Sequence, residues 1–342
     1  RALQPLDVLA RGAIDGFYPG FLRDCRVEGQ LFALPFARST PLLYLNADVL
    51  RGAGLPDALP AGAPDTWPGF LDLCQRLVRA RGGAPGAPSP SEIEAPEGGP
   101  GGRSGTARSQ PAFAAYGVGT NWLEFQPLLW AFGGAYSDGR MAPRITEPAS
   151  VEALQFLSDL VHRHRVAIAT RAAQTEFVAG RIALLTVSSA SLSQIEAEAP
   201  FRVLAAPLPV YRERGIPGGG AGLSLLRAAP AERRPAAWDL VQHLTSTTGT
   251  ASFARATGYT PVRPAALRDP LFQQHLTQHP NFRTALEQLA EVRPTDAVLG
   301  APFANRAIEG ALSRTLFDGL PPAQVCAALQ GDLERAVASM RA

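Results

Sequence analysis

Small hydroxyl side chains occur in this chain at positions where they could hydrogen-bond a small molecule. Ser39 and Thr40 separate two apolar runs, LFALPF and PLLYL, that predict strands. Hydroxyl groups between strands often bind ligands, but residues before a proline such as Pro41 are equally often structural. Ser189 lies in a serine run, 188–191, that begins a predicted helix. Free N–H groups at that position favour an anion such as phosphate, and plain N-capping is the alternative.

Two aromatic side chains could extend such a site. Trp122 lies in a Gly-Thr-Asn loop before a predicted helix, where its ring could pack on a sugar or glycerol backbone or belong to the core. Tyr259 lies in the tight connection TGYTPV. Its hydroxyl could bind phosphate or sugar oxygens, and packing against Pro261 is the alternative. Together with the hydroxyl residues, these rings predict binding of a polar small molecule.

A glycine-rich segment offers backbone groups in place of side chains. Gly219 and Gly220 belong to the run GGGAG at 218–222, which could bring backbone N–H groups close to a ligand. We expect a strand at 223–226 directly after it. The run is therefore no dinucleotide-binding fingerprint, because in that motif a helix follows the glycines.

Composition and motifs argue against several other functions. The net charge of +2 gives no general attraction to nucleic acid or to a membrane surface. No stretch has the length of a transmembrane helix. The three cysteines are far apart, and no spacing of Cys and His predicts a metal site. Because GxSxG, HExxH and P-loop motifs are absent, we expect no catalytic residues, no metal and no cofactor.

The elements that position these residues alternate between strands and helices, which predicts an α/β fold. Thr66 is the expected N-cap of a helix with an apolar face at three- and four-residue spacing. One segment, 82–111, breaks the pattern, since almost half of it is Gly or Pro. Such a composition buries too little apolar surface to offset the entropy of ordering, so the sequence predicts a disordered insertion there.

Several motifs, in this order, carry a family resemblance. They are LPFARSTPLLYLN at 34–46, TWPGF at 66–70, FGG at 132–134, FVAGRIA at 177–183 and TGYTPV at 257–262. The chain resembles the extracellular solute-binding proteins of ABC importers, in the maltose-binding-like family. It is most similar to the branch of glycerol-3-phosphate-binding proteins.

The resemblance implies a two-lobed periplasmic-binding-protein-like α/β fold, with strand crossovers at a hinge and the ligand in the cleft between the lobes. It predicts crossovers near 39–46, 218–222 and 297–303. The N-terminal lobe would comprise 1–42 and 219–298. The C-terminal lobe would comprise 43–218, with the insertion 82–111, and the helices of 299–342. Because members begin with a strand, a helix and a further strand upstream of the position of Arg1, we expect a truncated N-terminal lobe.

The resemblance also implies a function and one further site residue. The expected function is capture of glycerol 3-phosphate, a glycerophosphodiester or a related small ligand for delivery to a membrane permease. A sugar- or oligosaccharide-binding protein of the same class is the alternative, and a hydrolase on a two-lobed scaffold is a third interpretation. Phosphate-binding relatives place an arginine before the C-terminal helices. Arg306 is the candidate here, although one frequent arginine position of the family holds Val298.

The resemblance further predicts the surroundings of the protein. Its partners would be the small ligand, a phosphorylated polyol or a sugar, and the permease. We expect a monomer that binds no nucleic acid. The expected location is the periplasm or the cell surface, with a signal or lipoprotein segment that is not part of these 342 residues.

Overall fold

The computed structural model describes residues 2–58, 62–81 and 113–341, and the predicted insertion at 82–111 lies outside them. In this part of the chain the strands are β1 (Arg26–Val27), β2 (Gln30–Leu31), β3 (Leu34–Ser39), β4 (Pro41–Asn46), β5 (Ala114–Val118), β6 (Ala167–Ala169), β7 (Ile182–Ser188), β8 (Val203–Ala206), β9 (Ile216–Pro217), β10 (Gly219–Leu223) and β11 (Val292–Arg293).

The α-helices of the same residues alternate with these strands. They are α1 (Pro19–Arg23), α2 (Ala47–Gly52), α3 (Trp67–Ala80), α4 (Trp122–Ala131), α5 (Pro148–His162), α6 (Ala173–Val178), α7 (Leu192–Glu198), α8 (Arg234–Leu244), α9 (Thr247–Thr257), α10 (Pro270–Gln278), α11 (Asn281–Glu287), α12 (Ala304–Leu316) and α13 (Pro322–Arg341). None of these described helices is both long enough and apolar enough to cross a membrane.

Contacts divide the chain into two compact units. Unit 1 consists of Arg1–Leu42, Ser188–Gln194 and Gly215–Thr295. Unit 2 consists of Leu43–Val187, Ile195–Arg214 and Asp296–Ala342. We expected residues 188–194 in the lobe formed by 43–218, whereas their contacts place them in unit 1. They contact unit 1 because the backbone N–H of Ser189 donates a hydrogen bond to the carbonyl oxygen of Thr40.

Unit 2 is built on a five-stranded sheet in the order β6-β5-β7-β4-β8. β5 runs parallel to both β6 and β7, and β8 pairs antiparallel with β4. Helix α3 begins as expected, because Thr66 Oγ1 accepts a hydrogen bond from Gly69 N at 3.1 Å. Its apolar face then packs on the sheet, with the rings of Phe70 and Tyr116 edge to face at 4.9 Å. Burial of each such large side chain contributes roughly 1.5–3 kcal/mol.

Unit 1 has its own hydrophobic core. It combines residues near the start of the chain, such as Phe17 and Phe21, with residues from distant segments, such as Trp238 and Val292. Its strands form two-stranded sheets: β1 with β2, β3 with β10, and β9 with β11.

The glycine run corrects one prediction. The expected strand at 223–226, with the glycines as a loop before it, is wrong, since the strand is Gly219–Leu223 and contains the glycines. The glycines form a strand because they pair antiparallel with β3. Gly220 has φ +108°, and a Cβ there would lie 1.8 Å from the carbonyl oxygen of Ala37. Only glycine therefore allows these two strands to approach so closely.

Candidate functional site

A cavity of about 590 Å³ opens in unit 2 at the carboxyl edge of its sheet. The parallel strands β5, β6 and β7 end there, and the residues at or directly after their ends, including Gly119, Thr170 and Val187, line it. In open α/β sheets, ligands bind in the crevice outside the carboxyl ends of the strands. The volume also lies within the range of about 300–1,000 Å³ that is usual for small-molecule sites.

The lining of this cavity suits a polar ligand. Neutral hydrogen-bonding groups come from Thr120, Asn121, Gln174 and Thr175, above aliphatic side chains such as Leu185. Asn121 already caps helix α4, since its Oδ1 accepts from Leu123 N at 2.8 Å. Its amide N–H groups remain as donors toward the cavity. These groups could bind the hydroxyls of a polyol or a sugar.

Glu124, on the first turn of α4, adds an unusual carboxyl group to the cavity. It forms no ion pair with any of the described residues, and desolvation by burial raises its pKa to about 8. Its Oε2 lies against the backbone of Gly119, where a Cβ would meet it at 2.9 Å. At neutral pH this group is therefore mostly protonated and can donate a hydrogen bond.

Two further charged side chains line the same cavity. Arg171 follows β6, and its guanidinium lies 5.2 Å from the centre of the Phe317 ring. Among the described residues it has no carboxylate partner. Glu309, on α12, places a second carboxylate in the lining. The cavity thus contains one unpaired cation and two acidic groups.

Sequence reasoning missed this cavity. Of its lining, the sequence drew attention only to the loop 119–121, and only as the surroundings of Trp122. The signal that could have found it is positional: Gly119-Thr120-Asn121 and Thr170-Arg171 both follow short buried strands, and parallel strands bring their carboxyl ends together.

In unit 1, six of the eight residues predicted to bind ligand come together around the end of β3. Ser39 lies opposite Gly219 in the β3–β10 pairing, and Arg38 lies opposite Gly220. The carbonyl oxygen of Arg38 accepts from the backbone N–H of Thr260 at 2.7 Å, which places the neighbouring Tyr259 beside the same strand. The remaining two of the six are Thr40 and Ser189.

Thr40 and Ser189 are fully buried and bonded to each other. The Thr40 hydroxyl also accepts a hydrogen bond from Gln288 Nε2 at 3.4 Å. Ser39 is only 3% exposed, but its hydroxyl has no hydrogen-bond partner among the described residues. Of these three hydroxyl residues, Ser39 alone keeps its side-chain group unoccupied.

The side chain of Tyr259 belongs to a row of three half-buried rings. It stacks on Phe253 with the ring centres 5.6 Å apart, and Phe253 in turn packs on Phe36 at 4.4 Å. The contact partner is thus an aromatic ring, whereas the sequence suggested Pro261. The Tyr259 hydroxyl has no protein partner in the described part of the chain. The exposed backbone of Gly220 runs along the neighbouring strand.

The remaining two predicted residues belong to unit 2. Trp122 is half-buried at the start of α4, and its carbonyl oxygen accepts from the Tyr136 hydroxyl at 2.9 Å. Arg306 is exposed on α12, with its guanidinium 5.7 Å from the centre of the exposed Phe303 ring. Neither residue lines the cavity.

Val298, where the resemblance led us to look for an arginine, is completely buried. Its backbone N–H donates to Ser137 Oγ at 3.0 Å. An arginine side chain could not occupy this place without removing apolar packing. This position therefore supplies no cation for a phosphate.

Comparison with known proteins supports the expected family. The family model described as bacterial extracellular solute-binding protein matches residues 2–283. The chain is 27% identical over 289 residues to UgpB of Rhizobium meliloti, an sn-glycerol-3-phosphate-binding periplasmic protein. It is 26% identical over 293 residues to UgpB of Salmonella typhimurium. The first alignment covers 81% of this chain and 60% of the relative, and the second covers 84% and 61%.

Solved structures give the same result for the fold. UgpB from Mycobacterium tuberculosis, in complex with glycerophosphocholine, superposes with a TM-score of 0.83 at 30% identity, covering 100% of this chain and 80% of that one. The maltose-bound MalE3 of T. maritima has a TM-score of 0.76 at 22% identity, covering 97% and 80%. The predicted two-lobed α/β fold class and the predicted branch are confirmed. The chain belongs to the family of bacterial extracellular solute-binding proteins.

Proposed function

We propose that this chain captures a glycerol-phosphate compound outside the cytoplasm and delivers it to the membrane permease of an ABC importer. The observation that carries the proposal is the match of the whole chain to the glycerophosphocholine-bound UgpB, at a TM-score of 0.83 and 30% identity. The chain spans 60% of the length of the R. meliloti relative. Ligand, permease and monomeric state are therefore proposed for this protein from its likeness to others.

We propose four ligand contacts in unit 1, of which Tyr259 and Gly220 are accessible, whereas Ser39 and Gly219 are buried beside them. They are the hydroxyls of Ser39 and Tyr259 and the backbone of Gly219 and Gly220. Thr40 and Ser189, which we also place at this site, hold it together through their mutual hydrogen bonds. A row of stacked rings beside an exposed glycine strand is a surface on which a glycerol or sugar backbone can pack.

In unit 2 we propose Trp122 and Arg306 as further contacts. Arg306 has no carboxylate partner among the described residues, so its guanidinium is available for the two parallel hydrogen bonds that a phosphate accepts. Trp122 adjoins Asn121 at the edge of the cavity.

Two observations favour a second candidate, a sugar ligand. Val298 is buried where a phosphate-binding arginine is frequent, and Arg306 lies over an exposed ring. If Arg306 contributes nothing to binding, a neutral polyhydroxyl ligand suits the stacked rings and neutral polar groups better than a phosphate does.

Thermal shift with a ligand panel separates the two candidates. Stabilisation by sn-glycerol 3-phosphate or glycerophosphocholine, with none by maltose or trehalose, supports the glycerol-phosphate proposal. The reverse pattern contradicts it. A ligand at 100 times its Kd adds about 2.7 kcal/mol to the free energy of unfolding, so the signal is large.

Two substitutions then test the proposed contacts by calorimetric titration with glycerophosphocholine. Tyr259→Phe removes only a hydroxyl, and Arg306→Ala removes the guanidinium. Loss of a charge-assisted phosphate contact costs about 2–3 kcal/mol, or roughly 30–150-fold in Kd. Tyr211→Phe and Arg283→Ala, at other exposed positions, are the matched controls. Unchanged affinity in Arg306→Ala removes that residue from the site.

A further inference from the structure

Phe303 has a backbone conformation that is unusual for a large side chain. Its φ is +64° and its ψ is 0°, in the left-handed region, directly before α12. Among the described residues other than glycine, four have a positive φ, and Phe303 is the only aromatic one. In this region the Cβ crowds the backbone, so glycine or asparagine normally occupies it. A bulky residue there costs stability, and such strain is concentrated at functional sites.

Packing does not explain this conformation, because Phe303 is 73% exposed and its ring gains little from the hydrophobic effect. The backbone on both sides is nevertheless fixed. Val298 is completely buried and donates its N–H to Ser137 Oγ at 3.0 Å. The carbonyl oxygen of Phe303 accepts a hydrogen bond from Ala307 N at 3.0 Å. The chain therefore holds a large apolar side chain in water, in a disfavoured conformation.

The ring of Phe303 contacts Arg306, one turn further along the chain. The guanidinium carbon of Arg306 lies 5.7 Å from the centre of the ring. Such a contact between a cation and an aromatic face is worth about 2–5-fold in an equilibrium constant at exposed sites. Arg306 has no carboxylate partner among the described residues, so the ring is the group that restrains its guanidinium.

This contact leaves the Arg306 guanidinium able to bind an anion. The N–H groups of a guanidinium lie in its plane, whereas an aromatic ring occupies its face. A phosphate can therefore accept two parallel hydrogen bonds while the ring contact persists. An arginine side chain loses rotamer freedom when it binds, and one that is already restrained loses less. The ring of Phe303 thus lowers the entropic cost of a phosphate contact by Arg306.

We propose that Phe303 is a positioning residue for Arg306, and that its left-handed backbone directs the ring toward the guanidinium. This role rests on the proposed function, in which Arg306 binds the phosphate of the ligand. Stability is lost at Phe303, and affinity is gained through Arg306. Removal of the ring together with the backbone strain should therefore weaken ligand binding without destabilising the fold.

Phe303→Gly tests this role by thermal unfolding and by calorimetric titration with sn-glycerol 3-phosphate. Because glycine adopts a positive φ without strain, the midpoint of unfolding should stay equal or rise by up to about 4 °C. Loss of the ring should raise Kd about 2–5-fold. Phe303→Tyr keeps the ring and should leave Kd within about 1.5-fold of the value for the unmodified protein.

Two controls separate positioning of Arg306 from other effects. In the Arg306→Ala background, Phe303→Gly should change Kd by less than about 1.5-fold, because the ring then has no guanidinium to restrain. Tyr211→Leu removes another exposed ring of unit 2, whose centre lies 5.0 Å from the guanidinium of Arg212. It should leave Kd unchanged.

The outcomes separate the role of Phe303 from the proposed function. A lower unfolding midpoint with unchanged Kd in Phe303→Gly would show that the ring is only structural. An equal effect of Phe303→Gly with and without Arg306, or an unchanged Kd in Arg306→Ala, would show that the ring does not act through this guanidinium. Each of these results overturns the inference while the proposed function stands. If the unmodified protein binds neither sn-glycerol 3-phosphate nor glycerophosphocholine, the proposed function fails and the inference fails with it.

Discussion

Thr40 and Ser189 are joined by two hydrogen bonds although 149 positions separate them in the chain. The backbone N–H of Thr40 donates to Ser189 Oγ at 3.3 Å, and the backbone N–H of Ser189 donates to the carbonyl oxygen of Thr40 at 2.8 Å. Both residues are completely buried. The pair fixes the end of β3 to the turn that follows β7, and therefore fixes the backbone that presents Ser39.

Removal of the Ser189 hydroxyl should destabilise the protein. In Ser189→Ala the buried N–H of Thr40 loses its acceptor, which costs about 1–3 kcal/mol. Urea unfolding measures the loss. Ser191→Ala, two residues further and half-exposed, is the control and should change stability by less than about 0.5 kcal/mol. Equal stability of the two variants would show that the reciprocal bonds contribute nothing.

Gly220 should tolerate no side chain. A Cβ there would lie 1.8 Å from the Ala37 carbonyl oxygen, and φ is +108°. We expect Gly220→Ala to lose more than about 3 kcal/mol of stability or to fail to fold. Gly52→Ala is the contrast, because Gly52 ends a helix with nothing within 4 Å of a Cβ. It should be neutral or stabilise by up to about 1 kcal/mol. Similar stability of both variants in thermal unfolding would refute the close pairing of β3 and β10.

The raised pKa of Glu124 should make the stability of the protein depend on pH. Its pKa is about 8 in the folded chain against a reference value of 4.5, so the folded state retains a proton that the unfolded state releases. The free energy of unfolding from this group is therefore highest below pH 4.5 and falls as the pH rises to 8. Arg171 and Glu309 line the same cavity. The pKa of the neighbouring Tyr116 is raised mainly by burial and to a smaller extent by the charge of Glu124.

Glu124→Gln removes this titration. Between pH 5.5 and 7.5 we expect the stability of the variant to fall less steeply than that of the unmodified protein, by up to about 1.4 kcal/mol per pH unit. Urea unfolding across this range gives both slopes. Identical slopes would mean that Glu124 ionises as readily in the folded chain as in the unfolded chain.

The ring of Phe253, on which Tyr259 stacks, should contribute to ligand affinity. Phe253→Leu keeps an apolar side chain but removes the ring that lies 5.6 Å from Tyr259. An aromatic pair is worth about 0.5–1.5 kcal/mol, so Kd for glycerophosphocholine should rise about 2–10-fold. Phe201→Leu removes a comparable pair with Phe177 at 5.3 Å in unit 2 and should leave Kd unchanged. An equal effect of both substitutions would indicate general loosening and not positioning of Tyr259.

Local signals predicted the start of helix α3 because its cause is local. Thr66 caps α3 through a bond to a residue three positions away. The glycine strand could not be predicted in this way. Gly219 and Gly220 have the propensity of a loop, and only the distant strand β3 makes them a strand. The cavity of unit 2 was missed for a related reason, since its lining comes from the ends of three strands that are far apart in sequence.

The candidate site in unit 1 was predictable as a set of positions but not in its details. Residue type indicated hydroxyl groups at Thr40 and Ser189, yet it could not show that each is the partner of the other. The flanking residues also indicated that Tyr259 is constrained. Nothing in the sequence indicated that Phe253, on the preceding helix, stacks on it.

Titration calorimetry with glycerophosphocholine and with maltose shows directly which ligand the protein binds. We expect saturable binding of one glycerophosphocholine per chain and no heat from maltose beyond dilution. Saturable binding of maltose together with no binding of glycerophosphocholine or sn-glycerol 3-phosphate would contradict this expectation.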